Sequence, residues 1–115
     1  MFKFEEYKNK NKNWHEEDAK YKSKIISNIL KKNKVKFHSC IDIGCGTGKI
    51  IEYLSTKYQK VKFTGYDIHH ELVTFWNNNK IKNITFTNKN PVNDRARYNL
   101  LLCIDVFEHV KDYYN

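Results

Sequence analysis

Three groups of residues in this chain have the types and spacing to do chemistry together: the glycines at 44, 46 and 48, the carboxylates Asp42 and Asp67, and a late polar set, Asp105, Glu108 and His109. The segment Ile41-Asp42-Ile43-Gly44-Cys45-Gly46-Thr47-Gly48 runs from a short hydrophobic strand into glycines at alternate positions, which let backbone approach a ligand closely. Asp67 ends the next hydrophobic run, about 20 residues on, where two acceptor oxygens suit the vicinal diol of a ribose. Together they point to a nucleoside-bearing cofactor at the C-terminal edge of a parallel sheet.

The same residues narrow the choice of cofactor. Dinucleotide sites space their glycines G-x-G-x-x-G, the third allowing close helix–strand packing, whereas position 49 here is Lys. A G-x-x-x-x-G-K-[ST] phosphate loop also fails, because Gly44 to Lys49 is the wrong spacing and Ile50 follows. Asp42, just inside the glycines, would repel a pyrophosphate and better suits a cofactor carrying positive charge. The bland reading of Asp42 is a carboxylate that caps the loop. Cys45 reads as a small side chain packed beside the cofactor, with a nucleophile as the alternative.

Asp42-Ile43-Gly44-Cys45-Gly46-Thr47-Gly48 resembles motif I, D-x-G-C-G-x-G, of the class I S-adenosylmethionine (SAM) methyltransferases. Gly65-Tyr66-Asp67-Ile68 is similar to the acidic end of that family's second strand, and Asp105-Val106-Phe107-Glu108-His109-Val110 to the segment after its fourth. Trp14-His15-Glu16-Glu17-Asp18, followed by Tyr21-Lys22-Ser23-Lys24, resembles the N-terminal segment of small members of broad or unassigned substrate. The resemblance covers nearly the whole chain, as the N-terminal part of a domain that in the family continues past its fourth strand.

The fold this resemblance implies is α/β: a Rossmann-like parallel sheet of the class I methyltransferase type, truncated after strand 4, with an N-terminal helix. The activity it implies is SAM-dependent methyl transfer to an oxygen, nitrogen or carbon acceptor on a small molecule. Asp42 would then lie near the amino-acid end of the cofactor, and Gly44, Cys45, Gly46 and Gly48 would turn beneath its methionine and ribose. Asp67 would take the ribose hydroxyls and Ile68 the adenine face. Asn90, with Asn88 before it, stands where the family often has an acidic residue on the adenine amino group. Asp105, with Cys103 and Ile104, would bring backbone past the cofactor. Glu108 and His109 are the catalytic candidates, the imidazole being able to take a proton from an oxygen or nitrogen acceptor.

Asp105-x-x-Glu108-His109 also resembles the E-x-x-E-H metal cluster of some O-methyltransferases, small-RNA 2′-O-methylating members among them, in which Mg²⁺ or Mn²⁺ would suit the donors. Asp replaces the first Glu here, so no metal ligand is assigned, and a helix start with Glu108 near its positive end is the competing reading. Two alternative functions stay open. One is a metal-assisted RNA 2′-O-methyltransferase; the other is a catalytically inactive, truncated binding or assembly module.

Residues 1–13, rich in Lys and Asn, read as a mobile tail. Tyr21, Ile25, Ile26, Ile29 and Leu30 then recur at helical spacing and predict an amphipathic helix over 16–32. Strands are expected at 40–43, 61–66, 84–87 and 98–104, with helices over 48–58 and 69–78 between them. Ile50, Ile51, Leu54 and Tyr58 form the apolar stripe of one helix; Leu72, Val73, Phe75 and Trp76 face inward on the other. Residues 91–97 read as loop. The division is a tail and helix over 1–36 and a partial SAM-binding domain over 37–115. Leu100 to Ile104 is apolar on both faces, the pattern of a central strand. With no fifth strand beside it, that edge invites self-association.

At 115 residues, with 40% hydrophobic and 15% aromatic content, the chain supports one folded domain. No apolar stretch suits a membrane span and the first residues lack a secretory core, so a cytoplasmic protein is expected. Cys40, Cys45 and Cys103 form no C-x-x-C pair, which fits reduced thiols. The net charge of +8 would suit an anionic partner. Nearly all of it is scattered Lys, however, with Arg95 and Arg97 the two arginines, so nucleic acid is not favoured. His15 with Glu16, Glu17 and Asp18 reads either as part of a lid or as an acidic helix start. His69 and His70 are weak as a metal pair, and Trp14 and Trp76 read as packing residues.

Overall fold

The computed structural model describes the backbone of residues 4–91 and 98–104, and the side chains of residues 17–91 and 98–104. Helix α1 spans Phe4–Lys32, strand β1 Ser39–Ile43, helix α2 Lys49–Lys57 and strand β2 Lys62–Tyr66. A single 3₁₀ turn, His70–Leu72, leads into α3, Val73–Asn78, before β3, Ile84–Thr87, and β4, Leu100–Leu102. All strand pairs are parallel and the sheet order is β3-β2-β1-β4. The chain therefore leaves β1 toward β2 on one side and returns to β4 on the other. That reversal opens a crevice outside the C-terminal end of β1, the usual ligand position in such sheets.

Why these residues make this sheet follows from their burial. Cys40, Ile41, Phe63 and Leu102 are buried in β1, β2 and β4, while Ile51 and Leu54 of α2 close one face of the sheet. Asn99 pins β4 to the start of β1, its Oδ1 accepting from the His38 and Ser39 amides at 2.8 and 3.3 Å. Asn83 performs the same task after α2, donating through Nδ2 to the Tyr58 and Val61 carbonyls at 3.3 and 3.1 Å.

Three expectations are corrected. The first helix begins at Phe4, not Glu16, and its backbone covers most of the segment read as a mobile tail. No Gly or Pro interrupts residues 4–32, and Lys and Glu are good helix formers even where apolar residues are sparse. Its buried face also differs. Ala19, Ser23, Ser27 and Leu30 are buried, whereas Tyr21, Ile25 and Ile29 are 65%, 40% and 54% exposed. Helix α1 lies against α2, with the Ser27 hydroxyl 3.3 Å from that of Tyr58. Small residues permit that close approach; Leu30 and Ile26 still pack against the core, as their spacing predicts, while Tyr21, Ile25 and Ile29 are turned outward. The fourth strand is shorter than its apolar run, and Leu101 is 62% exposed.

Candidate cofactor cleft

The glycine loop folds back over the end of β2. Both the Gly44 and Cys45 amides donate to the Tyr66 carbonyl, at 2.8 and 3.0 Å. Gly44, Gly46 and Gly48 have φ of 74°, 59° and 88°, left-handed backbone that L side chains seldom adopt. Gly48 caps α2, whose Glu52 amide donates to the Gly48 carbonyl at 2.9 Å. Asp67 follows β2 directly and faces this loop: its Oδ2 accepts the Gly46 amide at 2.9 Å. The glycine turn and the carboxylate thus meet at one edge of the sheet, beside the β1–β4 reversal.

A second layer holds that meeting in place. The Trp76 indole Nε1 donates to the Gly46 carbonyl at 2.9 Å, so the Gly46 residue is held through both its N–H and its C=O. Trp76 stacks on Phe86 with centroids 5.0 Å apart and planes 9° from parallel. Phe86 lies under the loop, since a Cβ at Gly48 would come within 2.5 Å of its ring and one at Gly65 within 2.7 Å. A Cβ at Gly46 would meet nothing within 4 Å, so that residue borders open space. Asn88 ties the end of β3 to the site, its Nδ2 donating to the Asp67 and His69 carbonyls at 2.8 and 3.2 Å. His69 completes the set: its amide and its Nδ1 lie 3.1 and 2.7 Å from Asp67 Oδ1.

Electrostatically the cleft is acidic. Asp42 and Asp67 are both buried. Burial, followed by the field of Asp42, pushes the Cys40 thiol up to about 12. The Cys45 thiol is raised still more, first by burial and then by Asp42 and Asp67. A thiol held so firmly protonated is a poor nucleophile, which favours the packed reading of Cys45.

The structure therefore brings together Asp42, Gly44, Cys45, Gly46, Gly48 and Asp67 at the C-terminal edge. Ile68 follows Asp67 and is 67% exposed, and Asn90 is an exposed residue past the end of β3. Asp105, Glu108 and His109 lie outside the described residues. Among the described residues, no group of three or more His, Cys, Asp and Glu could hold a metal ion. Sequence reasoning passed over the architectural roles of His69, Trp76, Phe86 and Asn88. The available signal was local: a donor two residues past Asp67, where an Asx-type turn forms.

A model described as a methyltransferase domain matches residues 14–115. No curated protein matches the chain. Among solved structures, the plantazolicin methyltransferase BpumL in complex with SAH (S-adenosylhomocysteine) superposes with a TM-score of 0.62 at 25% identity, over 86% of this chain and 38% of that one. The same enzyme with a triazolic desmethylPZN analog and SAH gives a TM-score of 0.61 at the same identity and coverage. The methyltransferase domain of the bacterial CtHen1 superposes at 0.61 with 19% identity, over 80% of this chain and 53% of that one. Coclaurine N-methyltransferase bound to N-methylheliamine and SAH superposes at 0.56 with 16% identity, over 72% and 26%. These last two likenesses show the fold alone. The chain spans 38% of the length of the plantazolicin enzyme.

Proposed function

The chain belongs to the methyltransferase-domain family, and from that premise we propose that it is the cofactor-binding part of a SAM-dependent methyltransferase. The observation that carries this reading is the 2.9 Å contact between the Gly46 amide and Asp67 Oδ2, which sets a left-handed glycine turn beside a buried carboxylate at the sheet's switch point. The residues fit the cofactor in three respects. Open space borders Gly46, where backbone can lie close to a ligand. Asp67 offers acceptor oxygens for a diol. Asp42 adds negative charge suited to a sulfonium and an ammonium group.

SAM, when bound, supplies a methyl group already activated by its sulfonium. The chain's own work is to hold, orient and exclude water. Gly44, Cys45, Gly46 and Gly48 form the floor, Asp67 receives the ribose, Ile68 the adenine face, and Asn90 the adenine edge. Asp42 acts at the amino-acid end, and Asp105 carries backbone past the cofactor. Glu108 and His109 are the residues we assign to the acceptor, His109 taking its proton. The acceptor is a small molecule, a reading supported by the substrate analog in the plantazolicin enzyme. No helix among the described residues is long and apolar enough to cross a membrane, and we place the protein in the cytoplasm. Residues 37–115 form the cofactor unit, residues 1–36 its tail and helix, and β4 the edge for self-association.

Calorimetric titration with SAM and SAH tests the reading. Both should bind, and Asp67→Ala should weaken binding by at least about tenfold, the worth of a hydrogen bond to a charged group. A folded chain that gives no heat with either ligand would refute it.

A further inference from the structure

Resting on that reading of the cleft, we propose that His69 is a latch that competes with the cofactor's ribose for Asp67. The argument is one of acceptor sites. An ionised carboxylate offers about four lone-pair positions, two on each oxygen. Three are occupied: the Gly46 amide takes one on Oδ2 at 2.9 Å, and the His69 amide and Nδ1 take both on Oδ1, at 3.1 and 2.7 Å. Against an ionised carboxylate, which can only accept, a contact of 2.7 Å requires a donor, and we assign the hydrogen to Nδ1 on that ground.

A vicinal diol held by both oxygens needs one free position on each. Oδ2 retains one and Oδ1 none. One of the three donors must leave, and they differ in freedom. The Gly46 amide belongs to a residue whose carbonyl is held by Trp76, and the His69 amide to one whose carbonyl is held by Asn88. The His69 imidazole is a side chain, 51% exposed, and rotates without disturbing the backbone. The ribose therefore displaces the imidazole. Bonded to Oδ1, His69 keeps the carboxylate aimed at the loop, and it lowers affinity for any ligand that uses the diol.

Titration of the full chain and its His69→Ala and His69→Phe variants with SAH and with 2′,3′-dideoxy-SAH tests this. Phe retains a ring without a donor, so it separates the hydrogen bond from bulk and carries the test if the Ala variant does not fold. Both variants should bind SAH about fivefold more tightly, the scale of a half-exposed charged contact, and bind the dideoxy ligand as the parent does. Nitrogen-15 NMR of the imidazole should show a protonated Nδ1 in the free protein and its release on saturation with SAH. Unchanged or weaker SAH binding by the variants overturns the latch, as does an equal gain for the dideoxy ligand. Absence of SAH binding by parent and variants alike removes the cofactor reading and the latch with it; equal SAH binding by all three removes the latch alone.

Discussion

At the scale of single residues, three glycines around the cleft should fail in different ways. A methyl group at Gly48 would come within 2.5 Å of the Phe86 ring, on backbone with φ of +88°. Gly48→Ala should therefore cost about 2–5 kcal/mol in chemical denaturation, the sum of overpacking and left-handed strain. Gly65→Ala meets Phe86 and the Cys45 sulfur within 3.0 Å and should cost about 1–3 kcal/mol. Gly46→Ala meets no atom within 4 Å and bears only the strain of φ +59°, about 1 kcal/mol. Its larger effect should be on SAH affinity, because the new methyl points into the space assigned to the ligand. A Gly46→Ala protein less stable than Gly48→Ala would contradict this picture. The thiols make a pH prediction. Burial holds the Cys40 thiol protonated up to about 12 when folded, against an ordinary value of 9.0 that applies when unfolded. Between those values the unfolded state binds fewer protons, so stability is full below the unfolded value and declines as pH rises, by up to about 1.4 kcal/mol per pH unit for each such thiol. Urea denaturation at pH 7.5 and 9.5 should show the decline, and Cys40→Ala should reduce it. Iodoacetamide at pH 8 should label Cys40 and Cys45 only after unfolding.

At the scale of elements, what the sequence made legible and what it hid have physical reasons. Strands β1 to β3 and α2 could be read because their apolar residues coincide with a buried face: Ile41, Phe63, Ile84, Ile50, Ile51 and Leu54 are all in the core, whereas β4 is shorter than its apolar run. The glycine loop and Asp67 could be read because left-handed backbone and a strand-end carboxylate leave few other uses for those residue types. The buried side of α1 could be read only in part, at Ile26 and Leu30. Hydropathy weights Tyr21, Ile25 and Ile29, but the fit against α2 selects small residues, and no single-sequence period records the distance between two helices. This inversion yields a counterintuitive expectation. Ser27→Leu, which adds apolar volume at a fully buried position, should destabilise by about 1–3 kcal/mol. Tyr21→Ser and Ile29→Ser, which remove large apolar side chains from exposed positions, should stay within about 0.5 kcal/mol. Thermal or urea denaturation of the three variants decides, and the reverse order would mean that α1 is rotated from the face described. The Trp76 anchor was hidden for a related reason. Its ring reads as core, and so it is, but its indole N–H serves a loop 30 residues earlier in the chain.

At the scale of the whole molecule, β4 is an outer strand of the sheet among the described residues, where it pairs with β1 alone and presents Leu101 at 62% exposure. An unpaired strand edge offers a row of backbone donors and acceptors to another chain. The net charge of +8 opposes any such meeting, since two copies repel. Salt then separates two kinds of association by sign. Edge pairing between like-charged copies should strengthen as salt screens the repulsion, the screening length falling to about 8 Å at physiological ionic strength. Binding to nucleic acid should instead weaken steeply over the same range, because it is driven by counterion release. Sedimentation velocity at 50 and 300 mM NaCl should therefore show more self-association at the higher salt. Leu101→Lys should suppress it at both, with little loss of fold because the side chain it replaces is already largely in water. If Leu101→Lys sediments as the parent does, β4 is not the contact. If association falls with salt, attraction between unlike charges governs the contact, and the apolar edge has no part in it.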